Sequence, residues 1–246
     1  MEHYFQRVNE RVLRLDVPFE DLFTSVFFIE GETPIIIDAA TTRADAENIV
    51  IPALEAIGFT RDRAGYMLVT HRHGDHSGGV KWLLSYFPHL QRRTLSDGEA
   101  LEGVIAYAMS GHTEDSTGYY DAATKTLLTG DALQFFGVSK YGCSIVTVEG
   151  YERTLRELET RHMRYLLPSH AFAGGVSEAT GDEAIGSAIR ALRESWKDVK
   201  EFILEAATET REVAEIKRRF GERFPTMPPL PRVTVEAVLR SANRID

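Results

Sequence analysis

Thr70-His71-Arg72-His73-Gly74-Asp75-His76-Ser77-Gly78-Gly79 is the stretch on which the reading of this chain turns. Three histidines and one aspartate fall within six residues, directly after the apolar strand-like run 66–70. Neither a packed strand nor an amphipathic helix asks for that density of imidazole. Imidazole and carboxylate donors together suit zinc and other borderline first-row metals. Gly74 and the Gly78-Gly79 pair give the backbone freedom for a tight turn that aims alternate side chains inward. Taken alone, these residues have a competing reading as a polar surface loop that happens to be rich in histidine.

Outward from that stretch, the chain alternates strands and helices. Residues 11–17 alternate apolar and polar side chains, and 26–29 and 34–37 are short β-branched or aromatic runs with Gly31 between them as a hairpin signal. Residues 44–57 carry Ile49, Ile51, Leu54 and Ile57 at helical spacing, and Gly58 stops the run. Downstream, 79–87 reads as a short helix closed by Pro88, 104–109 as a strand, 118–120 with 125–128 as a hairpin, 150–161 as a helix and 165–167 as a strand. His71, His112, Asp131 and His170 each come just past a strand end, where rigid backbone meets adjustable loop. After Gly181 the pattern becomes helical, over 182–207, 211–220 and 233–241, with Pro225, Pro228, Pro229 and Pro231 separating the last two.

Composition limits the function classes. At 246 residues the chain suits one large domain, or a core with a small appendage. Its hydrophobic share of 43% and charged share of 26% are globular values. Cys143 is the one cysteine, so no internal disulfide is possible, and a cytoplasmic setting is expected. The N-terminal stretch has early charges and no apolar signal core. No apolar run approaches the roughly 20 residues of a membrane-spanning helix. The net charge of −9 lies on the chain up to Gly186, and the remainder is slightly basic. That balance argues against broad phosphate-backbone binding. A small-molecule substrate is therefore expected, with neither membrane nor nucleic acid as partner, and with packing or homodimer formation as the work of the C-terminal helices.

The His-rich stretch resembles the T-H-x-H-x-D-H-x-G-G signature of the metallo-β-lactamase superfamily, closest to its glyoxalase II-like and lactonase-like hydrolases. Further marks follow in order. Ser110-Gly111-His112-Thr113 with Ser116-Thr117-Gly118 resembles the G-H-T-x-x-S-T-G element. Leu128-Thr129-Gly130-Asp131 resembles the strand that ends in the bridging aspartate, Leu167-Pro168-Ser169-His170 the last ligand, and Ile36-Ile37-Asp38 the early strand whose aspartate supports the site. The resemblance covers roughly residues 11–174, and five motifs in order are far more specific than one. It implies an αββα sandwich over 1–181 with a helical C-terminal extension over 182–246, winged-helix-like in its later part. It implies that His71, His73 and His112 hold one metal, that Asp75, His76 and His170 hold a second, and that Asp131 bridges both. Two divalent ions follow, zinc first, with iron and manganese as alternatives. A metal-bridging hydroxide would cleave a small ester, thioester or lactone. Asp75, which orients that nucleophile and carries a proton, and Asp131 are then the catalytic residues. The di-iron relatives resemble H-x-E-x-D, and His73 stands in place of that glutamate, which favours hydrolysis over redox chemistry.

The pattern also departs from the family. Glu114 and Asp115 stand where relatives often carry Pro-Gly, and are read as a solvated turn. Gln134 replaces the tyrosine that lactonases place after the bridging aspartate, which counts against a lactonase. Gln134, Lys140 and Tyr141 are expected substrate contacts, while Phe135 and Phe136 are read as core. The interval from His76 to His112 is short for the family. His3, His89 and His162 lie outside the ligand set, and Cys143 is read as packed. Trp196, Phe202, Ile203 and Phe220 are expected in a core or interface. Two other readings stay open: a phosphodiesterase or nuclease, because paired metals also serve in-line phosphoryl displacement, and a metal-binding sensor without catalysis.

Overall fold

The computed structural model describes residues 3–20, 22–133, 144–171 and 178–243. The chain forms two compact units. One takes Met1–Ala108 with Thr117–Gly130, and the other Met109–Ser116 with Asp131–Asp246.

In the first unit a mixed sheet runs in the order β1 (Gln6–Arg7), β2 (Val12–Phe19), β3 (Leu22–Ile29), β4 (Ile35–Ile37), β5 (Gly65–Leu68) and β6 (Leu90–Arg92). β2 and β3 pair antiparallel from Val12 opposite Ile29 to Phe19 opposite Leu22. β3 and β4 form the hairpin expected around Gly31, with Phe27 opposite Ile37 and Ile29 opposite Ile35. The pairs β4–β5 and β5–β6 are parallel, which requires crossovers long enough to hold helices. The first crossover is α1 (Arg43–Asp45), a π-helical turn (Ala46–Val50) and α2 (Ile51–Ala56). Thr42 and Asp45 cap it reciprocally, each side chain accepting the other's backbone amide. The π turn, in which the Ile51 amide reaches back to the Ala46 carbonyl, comes immediately before Pro52, whose ring nitrogen has no hydrogen for a regular ladder.

The second crossover is α3 (Gly74–Ser77) and α4 (Val80–Tyr86). Here the structure refines the expectation of a tight glycine turn: Gly74–Ser77, which carries Asp75 and His76, is a one-turn helix, and His71 and His73 stand in the loop before it. Gly78 and Gly79 have ordinary negative φ values of −62° and −80°. Close approach, not turn freedom, is what demands glycine: a Cβ on Gly78 would lie 1.8 Å from the Thr41 carbonyl oxygen, and one on Gly79 2.0 Å from that of Ala39. Beneath this sheet Phe5, Phe28, Phe59 and Phe87 form an edge-to-face chain with centroid separations of 6.1, 5.8 and 5.0 Å. Each ring that is buried there stabilises the fold by about 1.5–3 kcal/mol.

The first unit also holds the antiparallel ladder β7 (Ala100–Leu101), β8 (Val104–Ala108), β9 (Thr117–Asp121) and β10 (Thr126–Gly130). Arg11 pairs at 2.8 Å with fully buried Asp121, whose other oxygen accepts the Thr124 amide and hydroxyl. That buried carboxylate is thus neutralised and hydrogen-bonded, as burial requires.

In the second unit β11 (Tyr165–Pro168) and β12 (Ala179–Thr180) pair antiparallel, with α5 (Val148–Thr160), α6 (Gly181–Ala206), α7 (Val213–Arg223) and α8 (Arg232–Ser241) around them. Helix α6 begins where the sequence changes character, and buries Ile185, Ile189, Leu192, Trp196, Val199 and Ile203, a stripe of alternating four- and three-residue steps. Trp196 meets Tyr151 of α5 edge-on at 5.3 Å, while Phe202, Phe220 and Phe224 make a second aromatic cluster. Trp196, Ile203 and Phe220 are buried as expected, and Phe202 is half-buried. Among the described residues no helix is long and apolar enough to cross a membrane.

Candidate metal centre

In the first unit the ends of the parallel strands β4 and β5 carry the chemistry. Asp38 follows β4 with φ 63° and is fully buried. Its Oδ1 accepts the Thr70 amide at 2.8 Å, and its Oδ2 accepts the Thr70 hydroxyl and His76 Nδ1, both at 2.8 Å. A carboxylate only accepts, so the hydrogens lie on Thr70 and on His76 Nδ1. The Thr70 oxygen, having donated to Asp38, stands 3.2 Å from His71 Nδ1 and accepts from it. Both rings thereby direct Nε2 away from this anchor. His73 is the N-cap of α3, and its carbonyl accepts the His76 and Ser77 amides. His71 and His73 stack edge-on with centroids 4.6 Å apart, and a ring nitrogen of each lies within 4.8 Å of the other. Asp75 Oδ2 sits 3.3 Å from His76 Nε2 and 3.4 Å from the Thr24 hydroxyl on β3.

In the second unit the Ser110-Gly111-His112 turn rests on α5. Thr154 donates to the Ser110 carbonyl and Arg153 to the Ser110 hydroxyl, at 3.0 and 2.8 Å. Gly111 has φ 148°, and a Cβ there would lie 2.7 Å from the Tyr151 Cα, so only glycine fits. His112 Nδ1 donates to the Ser144 carbonyl at 2.8 Å, which again leaves Nε2 as the ligand atom. Asp131 divides its two oxygens: Oδ2 lies 3.6 Å from His112 Nε2 and Oδ1 3.3 Å from His170 Nε2. His112 and Asp131 are buried, and His170 is partly exposed.

These separations test whether a metal fits. A direct charged N–H···O bond would close to about 2.7–2.9 Å. Two donors held about 2.0–2.1 Å from one tetrahedral ion stand roughly 3.3–3.4 Å apart. The three imidazole–carboxylate pairs, at 3.3, 3.3 and 3.6 Å, lie at or slightly beyond the metal-ligand spacing and are longer than a charge-assisted hydrogen bond. The donor set, imidazole and carboxylate without thiolate, fits zinc, iron or manganese.

The first unit therefore brings together His71, His73, Asp75 and His76, and the second brings together His112, Asp131 and His170. Gln134, Lys140 and Tyr141, with Phe135, Phe136 and Cys143, lie outside the described residues. Glu114 is exposed and Asp115 half-buried, at the tip of a turn closed by the Thr113 and Ser116 hydroxyls 2.7 Å apart. Thr24, Thr70 and the Ser144 carbonyl were not found from sequence. Only Thr70 carried a signal, its place at the head of the His-rich motif. Replacing Asp38 by alanine takes the acceptor from a buried amide and a buried imidazole. The expected result is a loss of about 2 kcal/mol in unfolding free energy and a roughly 10–100-fold weaker metal affinity, read by urea melts and by zinc competition.

Comparison with known proteins bears on the fold and the family. Residues 20–103 match the family described as Metallo-beta-lactamase superfamily. Atrochrysone carboxyl ACP thioesterase of Emericella nidulans is 30% identical over 182 residues, covering 67% of this chain and 57% of that protein. The protein of the same name from Passalora fulva is 29% identical over 157 residues, covering 54% and 46%. The chain thus spans about half the length of the curated relatives it matches. Among solved structures, a metallo-beta-lactamase family protein of Thermus thermophilus superposes with a TM-score of 0.69 at 17% identity, over 96% of this chain and 95% of that one. The flavodiiron protein of Giardia intestinalis reaches 0.61 at 17% identity, over 80% and 60%. These likenesses give the fold, two mixed sheets with flanking helices and a helical C-terminal part, which is the class expected from the sequence. The family match, the thioesterase-named relatives and the superposing structures together support membership of the metallo-β-lactamase superfamily.

Proposed function

We propose that this chain is a metal-dependent hydrolase of small thioesters, with esters and lactones as related substrates. His71, His73 and His112 would hold one divalent ion, Asp75, His76 and His170 the other, and Asp131 would serve both. The observation that carries the reading is the spacing of the imidazole–carboxylate pairs, which suits ligands around a cation and is longer than a charge-assisted hydrogen bond. The relatives named as thioesterases support the thioester as first choice.

Paired metals, when bound, lower the pKa of a water to near 7 and polarise a carbonyl oxygen. The chain's own residues do the rest. Asp38, through Thr70 and His76, fixes two imidazoles as Nδ1–H tautomers, so their Nε2 lone pairs point one way without reorganisation. The Thr24 hydroxyl steadies Asp75 Oδ2. Asp75 would then take a proton from the attacking water and return it to the departing thiolate.

The test is hydrolysis of an acyl thioester, followed by trapping the released thiol with a chromogenic disulfide. Activity should vanish on chelation, return with zinc or manganese, and be lost in His112→Ala. A rate that chelation and His112→Ala both leave intact would remove the proposal.

A further inference from the structure

We propose that Thr234, in helix α8, is a positioning residue for His112. Its hydroxyl fixes the peptide whose carbonyl orients that imidazole. Two hydrogen bonds that are remote in sequence meet on one peptide unit. The Ser144 carbonyl accepts from His112 Nδ1 at 2.8 Å. The Ile145 amide, on the other edge of the same plane, donates to Thr234 Oγ1 at 2.9 Å. Carbonyl oxygen and amide hydrogen of a trans peptide are rigidly coupled. Fixing one edge therefore fixes the other. The hydroxyl at the amide also polarises the unit and makes its carbonyl a stronger acceptor.

The surroundings leave little slack. Thr234 and Ile145 are both fully buried. The next two amides, Val146 and Thr147, donate to the Gly111 carbonyl at 2.7 and 3.3 Å. Residues 144–147 thus grip the His112 turn at two points, and α8 grips residue 145 in turn. All of these groups lie in the second unit. Helix α8 packs against both α5 and α6, so the hydroxyl is held by the same core that seats the turn. The consequence is that the C-terminal helical part supports the metal centre although it contributes none of the seven ligand candidates.

The experiment uses Thr234→Val, which keeps shape and removes the acceptor, and Thr234→Ser, which keeps the acceptor. Two readouts are taken on the full chain. The first, on metal-free protein labelled with 15N-histidine, is the ring 1H–15N correlation that reports which nitrogen of His112 carries hydrogen. The second is zinc affinity by competition with a chromogenic chelator. Wild type and Thr234→Ser should both show His112 with its hydrogen on Nδ1. Thr234→Val should populate both tautomers and bind zinc roughly 10–100-fold more weakly. A folded Thr234→Val with the wild-type tautomer and wild-type affinity overturns the proposal. So does a folded Thr234→Ser that has lost the tautomer, which keeps the test decisive if the valine chain does not fold. The zinc readout rests on the reading of His112 as a ligand, whereas the ring readout does not. A wild-type chain that binds no zinc, with a tautomer that still moves in Thr234→Val, would sink the metal reading and leave the positioning role standing.

Discussion

A chain carrying alanine at position 131 is expected to lose its metals and its hydrolytic activity together. Asp131 is 4% exposed, and its two oxygens face two different imidazoles, His112 and His170. In the proposed centre one substitution removes a ligand from both ions. Removing a group that merely holds a ligand already costs about 10–100-fold in metal affinity. Deleting the shared ligand should therefore exceed the upper end of that range. The check is metal content per chain after gel filtration, with the thioester rate measured on the same sample. Asp131→Asn controls for volume, since it fills the same space with a weaker, neutral donor. Two metals per chain and an unchanged rate in Asp131→Ala would refute the shared role.

Gly78→Ala is expected to destabilise the first unit by about 4 kcal/mol or more, at the extreme of single-substitution effects. The argument is steric and does not depend on the metal. The new Cβ would lie 1.8 Å from the Thr41 carbonyl oxygen and 2.6 Å from that of Gly74. Both obstacles are backbone, so no side chain can swing aside. Overpacking against adjustable neighbours typically costs about 1–3 kcal/mol, and here the neighbours cannot adjust. Thr41 and Gly74 belong to segments that Ala39 and Gly79 already tie together, by amide bonds of 2.8 Å to His76 and 3.1 Å to Ala40. Urea denaturation of the metal-free protein reads the effect directly. A midpoint within error of wild type would show that the two segments part easily.

Much of this was legible in the sequence, and the reason is local. Ile35–Ile37 and Leu22–Ile29 are buried strands whose apolar runs announce them, although β3 begins four residues before the run at 26–29 does. β6 was missed because it buries only Leu90 and exposes Gln91 and Arg92, so it has no alternation to read. The edge strands β1, β7 and β12 are two residues each, too short for any period. Helix α3 was missed because its four residues are chosen for chemistry, which erases the apolar spacing of a helix. The ligand candidates were legible because imidazole and carboxylate are scarce, and five motifs fell in order. The supports were less so. Ser144 acts through its backbone, which every residue possesses, and Thr234 acts through a hydroxyl 122 positions after His112.

The path of the chain between the two units bears on when the site becomes competent. β8 and β9 are neighbours in sequence, with Val104 opposite Asp121 and Ala108 opposite Thr117, and a ladder so local closes early as a chain emerges during synthesis. The turn at its tip, Met109–Ser116, belongs to the other unit, whose α5 and α8 are made later. His112 is therefore made before the Ser144 carbonyl that orients its ring, 32 residues on, and well before Thr234, which holds that peptide. The four candidates at 71–76, by contrast, have Asp38 and Thr70 already in hand. On the proposed ligand assignment those four give a nascent chain two ligand candidates for each ion before Asp131 and His170 exist, so neither site is expected to be complete, nor His112 held in place, until translation has passed residue 234.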